Sequence, residues 1–266
     1  MPEAPHQDLR YEVDGAIATI TLDRQERMNA FTFDMMDRWA QVLREAQADD
    51  KVRVVIVTGA GAAFCAGGDI VQMKERFEQT PLQRKEELWK RVQRVPLTLE
   101  DFDKPVIAAI NGAATGAGLD VALACDIRYA AESARLGETY VKVALVPGAG
   151  GAHFLPRIVG PARALEMFLT GDLMDAHEAE RIGLVNKVFK DGEFRAEVQS
   201  RAEKIAKAPP VTARFLKRAL AQGMRNDLRT NLDLISSHYA VVTSMQDHRE
   251  AVEAFLEKRQ PKFEGR

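Results

Sequence analysis

Four clusters of small residues punctuate the chain: TGAGAA (58–63), AGGD (66–69), NGAATGAG (111–118) and PGAGG (147–151). The chemistry such clusters offer belongs to the backbone. A residue without a Cβ lets an amide approach a ligand closely, and bare N–H groups in a turn or at a helix N-terminus receive negative charge. That charge is either a resident phosphate or an oxyanion formed during a reaction. The phosphate reading fails on spacing. GxGxxG would need glycine where Phe64 stands, no acidic residue closes a second strand about 20 positions later, and neither GxxxxGK[ST] nor GxSxG occurs. The oxyanion reading joins two turns, with the amides of Ala66 and Ala117 aimed at one oxygen and the second amide opening a helix whose dipole favours negative charge. Any one cluster alone is no more than a tight turn; together they point to a built site.

The elements that must position these turns are legible from periodicity. LRYEVDGAIATITLD holds Asp14-Gly15 between two alternating runs, which predicts an antiparallel hairpin. From Thr32, a stripe of Met35, Met36, Trp39, Val42, Leu43 and Ala46 predicts a helix that feeds the buried strand VRVVIVTG. KPVIAAING (104–112) repeats the theme: a buried strand ends at glycine, GAGLDVALACD forms a short apolar helix and IRYAA returns to strand. Residues 71–103 are polar and mostly helical, a cover for whatever the turns hold. Helical patterns then occupy about 194–208, 212–223, 229–245 and 248–258. The expectation is an α/β core over 1–200 with a helical C-terminal region over 201–266.

Composition excludes several function classes. The 266 residues carry 37 Lys plus Arg against 39 Asp plus Glu, with the basic residues dispersed, so nucleic acid is not the expected partner. Cys65 and Cys125 have no CxxC spacing and no neighbouring histidines, which argues against a disulfide or a metal site. MPEAPHQDLR lacks a leader pattern, and no stretch approaches the roughly 18 apolar residues of a membrane span. The expected setting is cytoplasmic, with no membrane partner. Cys65 reads as a small buried residue and His153 as a helix-terminal or packing histidine.

AFCAGGDI, KPVIAAINGAATGAGLDVALACDIRYA, LVPGAGGAHFLPRIVG, LTGDLMDAHEAERIGLVNKV and the ending KRQPKFEGR, together with LDRQERMNAF after the hairpin, resemble in order and spacing the motifs of the crotonase, or enoyl-CoA hydratase/isomerase, superfamily. The resemblance covers nearly the whole chain. It implies a crotonase (ClpP-like) α/β fold of repeated ββα units, with a helical C-terminal region that serves trimerisation, as a homotrimer or a dimer of trimers. It also implies an acyl-CoA thioester substrate, with no cofactor beyond that coenzyme A moiety. The amides of Ala66 and Ala117 would then hold the thioester oxygen as it becomes an enolate. Arg27, Ala30, Ala66, Gly67, Gly68, Asp69, Ile70 and Gly116 would line the coenzyme A channel, and Lys262 and Phe263, beside Lys258 and Arg259, would reach it near the C-terminus.

Within that resemblance, the first hydratase glutamate, in GGGxE, falls on Asp120, one methylene shorter and in a helix first turn where a dipole-favoured acid is also expected. The second falls on Tyr140, in LGETY, and a phenol with an ordinary pKa near about 10 is a poor base at neutral pH. Glu138 stands two residues earlier and, were the segment extended, would point to the same side as Tyr140; a surface position is equally consistent with the sequence. Either Glu138 replaces the missing carboxylate, or Tyr140 orients substrate while Asp120 moves the proton. GGGxD also resembles dienoyl-CoA isomerases, whose later aspartate would fall on Gly148. Enoyl-CoA hydration is therefore the first expectation and enoyl-CoA isomerisation the second. An NAD-dependent dehydrogenase is opposed by the broken GxGxxG, and an idle coenzyme A binder is kept open by Tyr140.

Overall fold

The computed structural model describes residues 8–266; the segment MPEAPHQ, included in the leader reading, lies outside the described residues. Strands β1 (Leu9–Asp14) and β2 (Ile17–Leu22) form the expected hairpin, with Gly15 at φ 56°. Helix α1 (Phe33–Ala48) is capped by Thr32, whose hydroxyl accepts from the Met35 amide, and its apolar stripe is buried. It feeds β3 (Val54–Gly59), followed by the short β4 (Ala63–Cys65). The cover comprises α2 (Ile70–Lys74), α3 (Pro81–Glu87), a π turn over Leu88–Val92 and α4 (Arg94–Asp101).

The long-strand, short-strand, helix unit then recurs as β5 (Val106–Ile110), β6 (Ala113–Thr115) and α5 (Ala117–Ala124), and again as β7 (Ile127–Ala131), β8 (Arg135–Gly137) and α6 (Gly151–Val159). After α7 (Pro161–Thr170), β9 (Met174–Asp175), α8 (Ala176–Arg181) and β10 (Lys187–Phe189), the chain ends in α9 (Phe194–Ala206), α10 (Pro210–Gly223), α11 (Leu228–Thr243) and α12 (Gln246–Glu257). The long strands form one sheet in the order β1-β2-β3-β5-β7-β10, and the short ones a second in the order β4-β6-β8-β9. The short sheet, built from parallel β4-β6-β8 with β9 antiparallel at its edge, places the glycine turns that follow β4 and β6 side by side.

The central strands β3 and β5 are buried on both faces, which is why they read as nearly continuous apolar runs. Val55 and Val57 face α1, α4 and α5, whereas Val54, Ile56 and Ile107 face Phe194, Val198 and Ala202 of α9. Helix α9 therefore belongs to the α/β core, and a division after residue 200 falls inside it. The helices that leave the sheet are α10 to α12. Neither α10 nor α11 buries a residue, and Leu216, Leu220, Met224, Leu228 and Tyr239 are exposed.

Candidate active site

The two glycine turns are tied before any ligand arrives. Thr115 Oγ1 donates to Ala66 O at 3.1 Å. Gly67 lies at φ 94°, and a Cβ on it would stand 3.0 Å from Thr115 O and 3.3 Å from the Ala117 nitrogen, so only glycine lets the turns approach this closely. A second zipper runs from the segment after β2. Ala66 N–H donates to Met28 O at 3.0 Å, Phe31 N–H to Gly67 O at 2.8 Å and Asp69 N–H to Phe31 O at 3.1 Å. Asn29 anchors this segment from within, donating to Ala60 O and Ala63 O and accepting from the Arg24 amide.

This geometry corrects one half of the expected oxyanion pair. The Ala66 amide is engaged by Met28 O and has no capacity for a ligand. Two residues on, the Gly68 amide has no acceptor among the described residues, and it lies between the two ladder bonds made by Gly67 O and the Asp69 amide. Ala117 opens α5, where a first-turn amide has no intrahelical partner. Ala66, Gly67, Gly68, Asp69, Ile70, Gly116, Ala117 and Tyr140 line one cavity of about 860 Å³, roofed by Met73, Phe77, Leu88, Val92 and Gln93 from the cover. Lys74, Arg76, Arg84 and Lys142 add positive charge to its wall.

The carboxyl groups divide sharply. Asp69 is buried, accepts from the amides of Val71 and Gln72 as the cap of α2, and pairs with the Arg24 guanidinium. Burial pushes its carboxyl up, but the Arg24 hydrogen bond and the two amides outweigh it and hold the pKa below the ordinary value. Asp120 is also fully buried, and its Oδ2 accepts from Tyr140 Oη at 2.5 Å and from Ala149 N–H at 3.1 Å. Its Oδ1 and both oxygens of the fully buried Glu138 have no hydrogen-bond donor among the described residues. Burial raises the Asp120 pKa against the lowering effect of Tyr140 and the amides of Gly151 and Ala149. Burial first, and the Asp120 charge second, push Glu138 up to about 10; the same causes raise Tyr140. A Cβ on Gly151 would stand 2.0 Å from Asp120 Oδ1, so glycine at the start of α6 makes room for this carboxyl.

Glu138 is thus interior, and the extended geometry assumed for 138–140 does not hold: β8 ends at Gly137 and Thr139–Val143 is a 3₁₀ turn. That turn brings Glu138 and Tyr140 to Asp120 together. Arg27 is exposed on a 3₁₀ turn and Ala30 is buried beside the ladder, so both adjoin the Ala66–Asp69 turn. Lys262 and Phe263 lie elsewhere. Phe263 O accepts from Arg53, which stands just before β3 at the end opposite the glycine turn, and the Lys262 amide donates to Glu250. Any contact of this tail with a channel at the other end of the sheet requires another subunit. Cys65 is buried, donates to Asn29 O, and its thiol is pushed up to about 12, which leaves it unreactive. His153 is exposed on α6, edge-on to Phe154 and outside the main cavity.

Sequence reasoning missed Asn29, Arg24, Gly151 and the Ala149 amide. The PGAGG cluster was visible, but nothing in it says that its amide and its missing Cβ serve a carboxylate 29 residues earlier. Among the described residues no helix is long and apolar enough to cross a membrane.

Paired glycine turns over a coenzyme-sized cavity, with an acid buried at the start of the second helix, define an enolate-stabilising class of site, and comparison with known proteins gives the family. The Enoyl-CoA hydratase/isomerase family model matches residues 12–266. The chain is 39% identical over 255 residues to the short-chain-enoyl-CoA hydratase of Clostridium acetobutylicum, covering 96% of this chain and 95% of that one. It is 36% identical to the 1,2-epoxyphenylacetyl-CoA isomerase of Escherichia coli, with 96% and 97% covered. The crystal structure of an enoyl-CoA hydratase from Bacillus anthracis superposes with a TM-score of 0.90 at 37% identity, covering 98% of this chain and all of that one. The chain belongs to the enoyl-CoA hydratase/isomerase family and has the crotonase fold.

Proposed function

We propose that the protein binds an acyl-CoA thioester with its carbonyl oxygen between the amides of Gly68 and Ala117, and catalyses reversible hydration of 2-enoyl-CoA through an enolate held there. The observation that carries this reading is the pair of amides without protein acceptors, in two turns locked together, opposite a tyrosine hydroxyl bonded to a buried aspartate. Two such donors aimed at developing charge lower the barrier by more than they tighten ground-state binding, each on the order of 10²-fold in rate. Gly67, Asp69, Ile70 and Gly116 form the channel walls, Arg27 and Ala30 stand outside the cavity lining on the neighbouring segment, and Lys74, Arg76, Arg84 and Lys142 offer charge for phosphates at its mouth. The chemistry draws on no cofactor beyond the coenzyme A moiety of the substrate.

A second reading, isomerisation of 3-enoyl-CoA, is favoured by Tyr140 standing where hydratases of the resembling motif carry glutamate. The exposed apolar residues of α10 and α11 support assembly as a trimer or a dimer of trimers, which would bring Lys262 and Phe263 of one copy to the channel of the next. The buried free thiols of Cys65 and Cys125 suit a reducing, cytoplasmic setting.

The test is a panel of 2-enoyl and 3-enoyl CoA esters incubated with the protein in heavy water, with products read by mass spectrometry. Formation of 3-hydroxyacyl-CoA is expected. Bond migration without water addition would select isomerisation, and absence of both binding and turnover across the panel would overturn the acyl-CoA reading.

A further inference from the structure

Of the three groups Asp120, Glu138 and Tyr140, only one meets the cavity. Tyr140 lines it, whereas Asp120 and Glu138 lie behind the tyrosine, each with no exposed surface. The Tyr140 hydroxyl points away from the 3₁₀ turn to Asp120 Oδ2 at 2.5 Å, a short charge-assisted bond. Three carboxyl oxygens of this buried group have no donor among the described residues, Asp120 Oδ1 and both oxygens of Glu138, and the two carboxyls are near enough for each to act on the other. Two adjacent buried carboxylates cannot both be ionised at acceptable cost, while one proton held between them gives Asp120 Oδ1 a donor and removes one of the two charges. The strong upward push on Glu138 from burial and from Asp120 agrees with this arrangement.

We propose that Tyr140 is the catalytic residue that touches the substrate, that Asp120 behind it takes the relayed proton, and that Glu138 is a positioning residue which, before the reaction, shares a single proton with Asp120. The proposal rests on the enolate reading above and sharpens it to one proton exchanged with the substrate per half-reaction. A substrate C–H bond, or an O–H bond of the added water, breaks; its proton goes to Tyr140 Oη, and the tyrosine proton passes to Asp120 Oδ2. The buried group changes from one negative charge to none. The substrate acquires that charge as the electron pair moves to the thioester oxygen at Gly68 and Ala117. Reversal returns the proton to carbon. In hydration the water oxygen bonds to C3 and the returned proton to C2, so the elements of one water are added. Glu138 keeps its proton throughout and donates it to Asp120 as a hydrogen bond.

The experiment compares Tyr140→Phe, Glu138→Gln and Glu138→Leu with the wild type on crotonyl-CoA, together with infrared spectra of the unliganded proteins. Tyr140→Phe preserves the ring and is expected to lower kcat by about 10²-fold or more with KM changed less than about threefold. Glu138→Gln keeps a neutral donor to Asp120 and should retain kcat to within about tenfold, whereas Glu138→Leu, which removes the donor, should lose about 10²-fold. The wild-type spectrum should contain a protonated-carboxyl C=O band at neutral pH that is missing from Glu138→Gln. A fully active Tyr140→Phe, or a Glu138→Gln as inactive as Glu138→Leu, would overturn the proposal by making Glu138 itself the base. Lack of turnover by the wild type would defeat the hydratase reading instead, and the infrared band, measured without substrate, would still decide the shared proton.

Discussion

Asp69 and Asp120 each follow a glycine-rich turn, each lies at or within the first turn of a helix, and each is buried, yet their surroundings differ in kind. Every strong interaction open to Asp69 is used: two helix amides and a guanidinium hold it ionised and fixed. Asp120 has one oxygen bonded to a tyrosine hydroxyl and an amide, and the other without a donor among the described residues, as are both oxygens of Glu138. A satisfied buried carboxylate is a structural rivet. An incompletely satisfied one, beside a second carboxyl and a phenol on the cavity wall, can change its proton inventory, and that capacity is what acid–base chemistry requires.

The comparison breaks most visibly if Asp120 is neutralised. Asp120→Asn should reduce kcat by about 10³-fold, or about 4 kcal/mol of transition-state stabilisation, with circular dichroism and coenzyme A ester binding preserved. Steady-state kinetics checks this, and retention of kcat within about tenfold would return Asp120 to the status of a helix-terminal acid. Gly67→Ala acts on the other half of the site. The added Cβ would press on Thr115 O and the Ala117 amide at a left-handed φ, parting the two turns, and kcat should fall by about 10²-fold with a smaller rise in KM.

Much of this arrangement was legible. The Asp14-Gly15 hairpin, the α1 stripe and the strand–glycine–helix repeats follow from local periodicity, because each buries one defined face. The amide left without an acceptor lies two residues beyond the expected one because Ala66 and Gly68 share one turn, and only the ladder with Met28–Phe31 decides which N–H is engaged. The interior position of Glu138 was hidden because spacing assumed an extended segment where a 3₁₀ turn forms. The tail residues Lys262 and Phe263 match motif spacing, but where they lie depends on Arg53, some two hundred residues earlier in the chain, and local spacing carries nothing about such a contact.

Asp69→Ala probes the rivet. It removes the cap of α2 and leaves Arg24 without its buried partner, so stability should fall by about 2–4 kcal/mol, with KM rising more than kcat falls because the 67–69 turn lines the channel. Chemical denaturation with parallel kinetics separates the two. Because the folded Asp69 pKa is depressed, its contribution is present above the ordinary carboxylate pKa and is lost as pH falls through the lowered folded value. The stability difference between wild type and Asp69→Ala should therefore shrink in acid, and a difference that stayed constant would mean the loss is one of packing.

The opposite sign belongs to Glu138, and it gives the smallest and most discriminating effect. Its pKa is raised from 4.5 to about 10 in the folded protein. Below 4.5 both folded and unfolded chains hold the proton and the group is neutral in its effect on pH dependence. As pH rises past that point the unfolded chain releases its proton while the folded one keeps it, so the unfolded state binds fewer protons and stability declines continuously toward the folded pKa. Glutamine has no proton to release and escapes this decline. Glu138→Gln should accordingly gain thermal stability relative to wild type as pH rises, the difference in Tm being about 2–4 °C larger at pH 8 than at pH 5 if about 1 kcal/mol of the penalty survives relaxation of the site. A difference independent of pH would mean that Glu138 is ionised in the folded protein, and the distinction between a satisfied Asp69 and a proton-holding pair at Asp120 would fail at its second member.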